Sequence, residues 1–258
     1  MHEKSKNPYS IKDVLILNQP EAAPFPDLLK GDIHIWTVSV DMPENQVERL
    51  QSVLSAEEKT KASFYKFESA QHGYIVTKSV LRILLSAYLD TNPADIVLGA
   101  HKKGKPYLVS DTPIFFNISN SHDICVYAFS RDAEVGIDIE KIRDLPDIDL
   151  LIEKNLTSRE KKYFQKDPDN KLTRFFQFWT FKESYLKAIG EGMRLTPENL
   201  EFSQEDGTIK LRSVNYGFDA ENWQFKGFTR KGNYTGSLAY SGKDTIIKEM
   251  SITFNGSS

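Results

Sequence analysis

Asp138 and Glu140 stand two residues apart in the run EVGIDIEKI (134–142), which is otherwise mostly valine and isoleucine. Side chains alternate along a strand, so Gly136, Asp138 and Glu140 would share one face and Val135, Ile137 and Ile139 the other. Two carboxylates held side by side repel and raise each other's pKa unless a cation lies between them. Glycine at 136 adds a bare stretch of backbone, which in a strand often marks the close approach of a ligand. The plainer reading is a solvated face beside Lys141 and Arg143.

A second group lies in FWTFKESYLKAIGEGM (178–193). On a helix, Trp179, Glu183 and Lys187 fall on one stripe at i, i+4 and i+8. Alone, Glu183 and Lys187 could be a surface pair contributing only ~0.2–0.5 kcal/mol. However, Phe175, Phe176, Phe178, Trp179, Phe181, Tyr185, Leu186 and Ile189 make the helix apolar nearly all round. Such a helix is buried, and buried charges need partners. Three carboxylates and a lysine suit Mg²⁺, a hard cation bound through oxygens.

These residues need a frame. IHIWTVSV (33–40) reads as the first strong strand. LSAEEKTKASFYKF (54–67) reads as a helix opened by a capping box, Ser55 with Glu58. The longer helical run SAQHGYIVTKSVLRILLSAYL (69–89) stops at DTNPAD. Short strands follow at IVLGA, KPYLV, IFFNIS and ICVYAFS. The scheme then recurs. LTSREKKYF (156–164) echoes LSAEEKTKASF with a capping box of Thr157 and Glu160, and LTRFFQFWTFKESYLKAI (172–189) is a long helix closed by Gly190. Strand-like LEFS, TIKLR, WQFKGF, TGSLAYS and TIIKEMSITF complete it. Two similar α+β halves with a cleft between them are the expectation. The boundaries are an N-terminal extension at 1–31 (three prolines in NQPEAAPFPDLLKGD), halves at 32–132 and 133–250, and a tail at 251–258.

Composition narrows the partners. The 258 residues carry a formal charge of −3, so no global field draws nucleic acid or anionic lipid, and an anion site must be a local basic patch. The one cysteine, Cys125, rules out an intrachain disulfide or a cysteine zinc cage, and in DICVYAF it reads as a small buried hydrophobe. MHEKSKNPYS lacks the apolar core of a signal peptide, and no apolar run approaches a membrane span. A cytoplasmic location with no nucleic-acid or membrane partner is expected.

Together, VGIDIEKI and, some forty residues on, FWTFKESYLKAIGEG resemble the 4'-phosphopantetheinyl transferase family, in particular its larger, Sfp-type monomeric members. LSAEEKTKASFYKF, KGKPYL and FFNISNS extend the resemblance over roughly 33–240. It implies a pseudo-dimer of two α+β halves related by a pseudo-twofold axis, with coenzyme A in the cleft. It implies that Asp138, Glu140 and Glu183 ligate Mg²⁺, that Glu183 or a water it orients is the general base, and that Lys187 balances charge on the attacked phosphate. Lys105 and Ser119 would contact the nucleotide end. The products would be a holo carrier protein, acyl, peptidyl or aryl, and 3',5'-ADP. The nucleophile belongs to the partner, so no catalytic serine or thiol is needed in this chain.

The pattern departs from the family at the nucleotide end. Asn120 stands where a histidine is common, with His122 two residues on, and His72 stands where an arginine or lysine is common. Both changes remove positive charge. Two other readings remain at this point: a coenzyme A-binding regulatory relative with weak catalysis, and a metal-dependent phosphatase or nuclease using the same carboxylates.

Overall fold

The computed structural model describes residues 16–17, 25–166, 168–190, 195–205, 208–214 and 220–253. After the two-residue strand β1 (Ile16–Leu17), the first half runs β2 (Asp32–Ser39), α1 (Glu44–Gln51), α2 (Ala56–Ser63) and α3 (Glu68–Leu89). Hairpins β3 (Leu98–Ala100)/β4 (Pro106–Leu108) and β5 (Phe115–Ser121)/β6 (Ile124–Ser130) follow. The second half repeats this order: β7 (Val135–Lys141), α4 (Ile148–Asn155), α5 (Ser158–Lys166), α6 (Lys171–Ile189), β8 (Leu200–Glu205)/β9 (Thr208–Val214) and β10 (Trp223–Arg230)/β11 (Tyr234–Ser241). β12 (Ile246–Thr253) closes the described chain.

The fold is α+β, and the expected duplication is present in its pairing. In each half the first strand pairs antiparallel with the last (β2 with β6, β7 with β11), and the last pairs with the one before it. The echo between the two capping boxes has a physical reason. Glu58 caps the Ser55 N–H at 3.0 Å and also accepts from Arg82 Nε at 2.5 Å. Arg82 in turn donates to the carbonyls of Pro93 and Ile96, both at 2.9 Å. In the second half Glu160 caps Thr157 at 2.8 Å and accepts from the fully buried Lys182 at 2.7 Å. Lys182 donates to the carbonyls of Pro197 and Leu200 at 2.9 and 2.8 Å. Both cations are buried, and each donates to one carboxylate and to at least two backbone carbonyls, the kind of pairing under which a buried ion pair is tolerated.

Four layers result. α3 covers one face of the sheet β1-β12-β2-β6-β5 with Trp36, Val38, Tyr127 and Phe129 beneath it. The other face, through Ile33, Ile35, Val126 and Ala128, packs on Val135, Ile137, Ile139 and Leu238 of the sheet β10-β11-β7. α6 covers the far side of that second sheet through Phe181, Tyr185 and Ala188. Each fully buried Val or Ile between the sheets contributes roughly 1.5–3 kcal/mol.

Two expectations of the chain's organisation shift. The helices α1 and α4 were not read from the sequence. They are eight residues each, and α1 buries only Val47 and Leu50, too few apolar positions to give a clear 3.6-residue period. The boundary expected at 250 falls inside β12, which crosses back and pairs parallel with β2 from Ile246↔Asp32 to Ile252↔Val38. Phe25, assigned to the extension, stacks on Trp36 with centroids 5.4 Å apart; residues 1–15 and 18–24 lie outside the described residues. Among the described residues no helix is long and apolar enough to cross a membrane.

Candidate functional site

The site is built where α6 crosses β7. A Cβ on Gly136 would stand 2.0 Å from the Ser184 carbonyl oxygen and 2.4 Å from the Ala188 nitrogen. Gly136 therefore does not admit a ligand, as its place in the strand had suggested. It admits the helix backbone. That close approach lets Lys187, on the turn that touches Gly136, reach the next residue on the same strand face: its ammonium donates to Asp138 Oδ1 at 2.7 Å and to Ser119 Oγ at 2.9 Å. Ser119 donates to the same Asp138 oxygen at 2.9 Å. The expected face is present, but Asp138 is buried, 4% exposed, rather than solvated.

Glu183 lies one turn before Lys187, and both line a cleft of about 460 Å³ with Lys103, Lys105 and Asn117. Burial, then the charge of Asp138, pushes the Glu183 carboxyl up to about 6; Lys187 opposes this and Glu140 adds to it. Asp138 and Glu140 are also raised, both chiefly by burial. Lys187 counteracts this at Asp138, as does the Ser121 hydroxyl at Glu140. Thus Asp138 raises both Glu140, its neighbour on the strand face, and Glu183 on the helix. Trp179, the third member of the helical stripe, packs into the core around α6 and stacks on Phe175 at 6.1 Å.

The raised Glu183 pKa carries a stability consequence. A carboxyl with a raised folded-state pKa contributes stability that is present below its unfolded pKa of 4.5 and lost as pH rises through about 6. In a chelating buffer, Glu183→Gln should therefore gain on wild type by ~2 kcal/mol between pH 4 and pH 7.5. Urea unfolding of both proteins at the two pH values measures it. His34, held down to about 4 by burial and by Lys248, titrates alike in both proteins and cancels. A gap that does not change with pH would mean that Glu183 is no more costly to ionise folded than unfolded.

The nucleotide-end residues are dispersed. Lys105 lines the cleft, but its ammonium donates to the Ala188 carbonyl at 2.6 Å and to Glu134 at 3.1 Å, tying the β3–β4 hairpin to the end of α6. Ser119 lies against the carboxylates. Asn120 is exposed, and with His122 it lines a second cleft of about 600 Å³ that shares Pro106 and Ile118 with the first. His72 lines neither cleft; its ring lies 3.7 Å from Glu68 on the same helix. Lys78, unnoticed in the sequence, lines the second cleft, and burial lowers its ammonium pKa. Asn117 and Ser121 were missed as well. The signal for both was present, since N-x-S-x-S has the same two-residue period as G-x-D-x-E.

Among the described residues no three His, Cys, Asp or Glu side chains form a ready metal cage. The donor chemistry nevertheless fits a hard cation. All the candidate ligands are carboxylate oxygens, and Asp138 Oδ2 is buried with no hydrogen-bond partner among the described residues, a costly arrangement that a cation would relieve.

Comparison with known proteins identifies the family. Residues 134–239 match the model of the 4'-phosphopantetheinyl transferase superfamily, and residues 41–132 match that of the 4'-phosphopantetheinyl transferase N-terminal region. The 4'-phosphopantetheinyl transferase HetI of Nostoc sp. is 31% identical over 64% of this chain and 72% of its own. The chain belongs to the 4'-phosphopantetheinyl transferase superfamily. Two further transferases, ffp and Sfp of Bacillus subtilis, are 30% and 28% identical, each over 69% of this chain and 80% of theirs. Within this superfamily assignment, the buried D-x-E strand and the aromatic helix with Glu183 and Lys187 both fall inside the 134–239 match.

Proposed function

We propose that Asp138, Glu140 and Glu183 hold a magnesium ion against the pyrophosphate of coenzyme A, in the cleft lined by Glu183 and Lys187. As a 4'-phosphopantetheinyl transferase, the protein moves that group from coenzyme A to a serine of an apo carrier protein. When bound, the ion acts as a Lewis acid on the phosphate oxygens. Glu183 accepts the proton of the attacking serine hydroxyl as the new oxygen–phosphorus bond forms. The bond to the bridging oxygen breaks, and 3',5'-ADP leaves. A carboxyl pushed up to about 6 is well matched to that task near neutral pH. Lys187 balances the charge on the attacked phosphate. Lys105 on the cleft wall and Asn120 in the adjoining cleft serve the nucleotide side, whereas Ser119, turned to Asp138, and His72, which lines neither cleft, do not.

One observation carries the reading. A general-base-suited carboxyl and an ammonium, one helical turn apart, line a cleft beside two further carboxylates of raised pKa. Mass spectrometry of an apo carrier incubated with coenzyme A and Mg²⁺ tests it; a carrier that stays unmodified in the presence of the ion refutes it. The hydrolase and the regulatory relative weighed from the sequence gain no support from the relatives. We also assign the protein to the cytoplasm as a monomer, which gel filtration of the purified chain checks for the second part.

The carrier's acidic surface, implied by the family, would meet the basic segment after the metal strand. There Arg143, Lys154, Arg159 and Lys162 are exposed, with the apolar Leu150 beside them. Lys141, Lys161 and Arg159 already pair with Asp123, Glu153 and Glu201 at 3.6, 2.7 and 3.0 Å, and the Lys166 side chain lies outside the described residues. The KM for the carrier should rise several-fold, about 3–10 times, from low to 0.5 M salt while kcat changes little. A KM indifferent to salt would assign docking to Leu150 and its apolar neighbours instead.

A further inference from the structure

Among the described residues β7 lies at the edge of its sheet, bonded to β11 on one side. Its other side is met by β5 of the first half, running in the same direction, through side chains instead of backbone. The N–H of Ile137 donates to Asn117 Oδ1 at 2.9 Å, that of Ile139 to Ser119 Oγ at 3.4 Å, and that of Lys141 to Ser121 Oγ at 3.2 Å. Polar residues at every second position of β5 thus match N–H groups at every second position of β7, so the side chains stand in for a backbone ladder.

The serines have a second function open to them. A hydroxyl that accepts one of these N–H groups still has its own proton to give. Ser119 gives it to Asp138 and Ser121 gives it to Glu140 Oε2, each at 2.9 Å. Each serine therefore bonds one N–H of β7 and the carboxylate of the preceding residue. Asp138 has a second anchor in Lys187, whereas the hydroxyl of Ser121 is the side-chain donor shown for Glu140. His122 Nδ1, 3.4 Å from the same hydroxyl, can share it only as an N–H donor while Glu140 is ionised.

We propose that Ser121 is a positioning residue of the metal site, turning Glu140 so that one oxygen is fixed on β5 and the other is presented to the cation. The inference rests on the reading of Asp138, Glu140 and Glu183 as cation ligands. It makes the first half of the chain a contributor to a site whose ligands all lie in the second.

Titration with Mn²⁺ followed by electron paramagnetic resonance tests it without turnover. Ser121→Ala should bind Mn²⁺ about 10-fold more weakly, the usual effect of losing an outer partner of a ligand. Ser121→Thr, which keeps the hydroxyl, should restore binding to within about 2–3-fold. Wild-type affinity in Ser121→Ala, with binding lost in Asp138→Ala, overturns the positioning role and leaves the metal reading standing. Equal weakening in Ser121→Ala and Ser121→Thr overturns it too, because the hydroxyl is then not what matters. Wild-type Mn²⁺ binding in Asp138→Ala removes the metal reading itself, and this proposal with it.

Discussion

Replacing Asp138 by alanine should lower transfer to a carrier protein by on the order of 10²–10³ while leaving the protein folded. The carboxylate is buried, and burial raises its pKa even against the opposing charge of Lys187, so the folded state gains nothing from its ionisation without a bound metal ion. Removing it also strands the Lys187 ammonium, which now donates to Asp138 and Ser119, but that ammonium is about a third exposed and can turn to water. Glu183→Gln should be comparably inactive for a different reason: the shape stays and the proton acceptor goes, so kcat should fall far more than coenzyme A affinity. It should lose activity in the pH range where it gains stability, as expected for a group held in a costly state for function. Single-turnover assays at saturating Mg²⁺ decide both. Near-wild-type rates in Asp138→Ala would take Asp138 out of the site, and a purely raised KM in Glu183→Gln would end its role as base.

Gly136→Ala should be as damaging, through the fold. The added methyl would stand 2.0 Å from one backbone atom and 2.4 Å from another, and neither belongs to a side chain that can swing away. α6 must lift or slide on β7, at a cost of about 3 kcal/mol or more, or a fall in Tm of roughly 6–12 °C for a chain of this size. The displacement would also carry Glu183 and Lys187 away from Asp138, so activity should fall with stability. Gly73→Ala is the control. Among the described residues, nothing beyond its chain neighbours and the backbone of its own helix lies within 4 Å of its added Cβ, and in the body of α3 it should be neutral or stabilising by up to ~1 kcal/mol. Melting of Gly136→Ala alongside wild type would contradict so close a helix–strand approach.

Much of this protein was legible in the sequence because the relevant patterns are local. The two-residue period that put Asp138 and Glu140 on one face, the four-residue step joining Glu183 to Lys187, and the two capping boxes are properties of single elements. Ser55 with Glu58 and Thr157 with Glu160 cap their helices as the spacing predicts. Cys125 is fully buried, and burial pushes its thiol up to about 11, in keeping with an inert core residue. What lay beyond the sequence was which element meets which. Gly136 signals a close approach but not what approaches. Ser119 and Lys105 carry groups suited to a nucleotide, yet one hydroxyl turns to Asp138 and one ammonium to the end of α6. β12 reads as a strand in either half, and only its parallel pairing with β2 assigns it to the first sheet. Periodicity is set by the backbone geometry of a few neighbouring residues, and so is written in their order. Register between elements far apart in the chain is set by how whole faces pack, and no short stretch of sequence contains both faces.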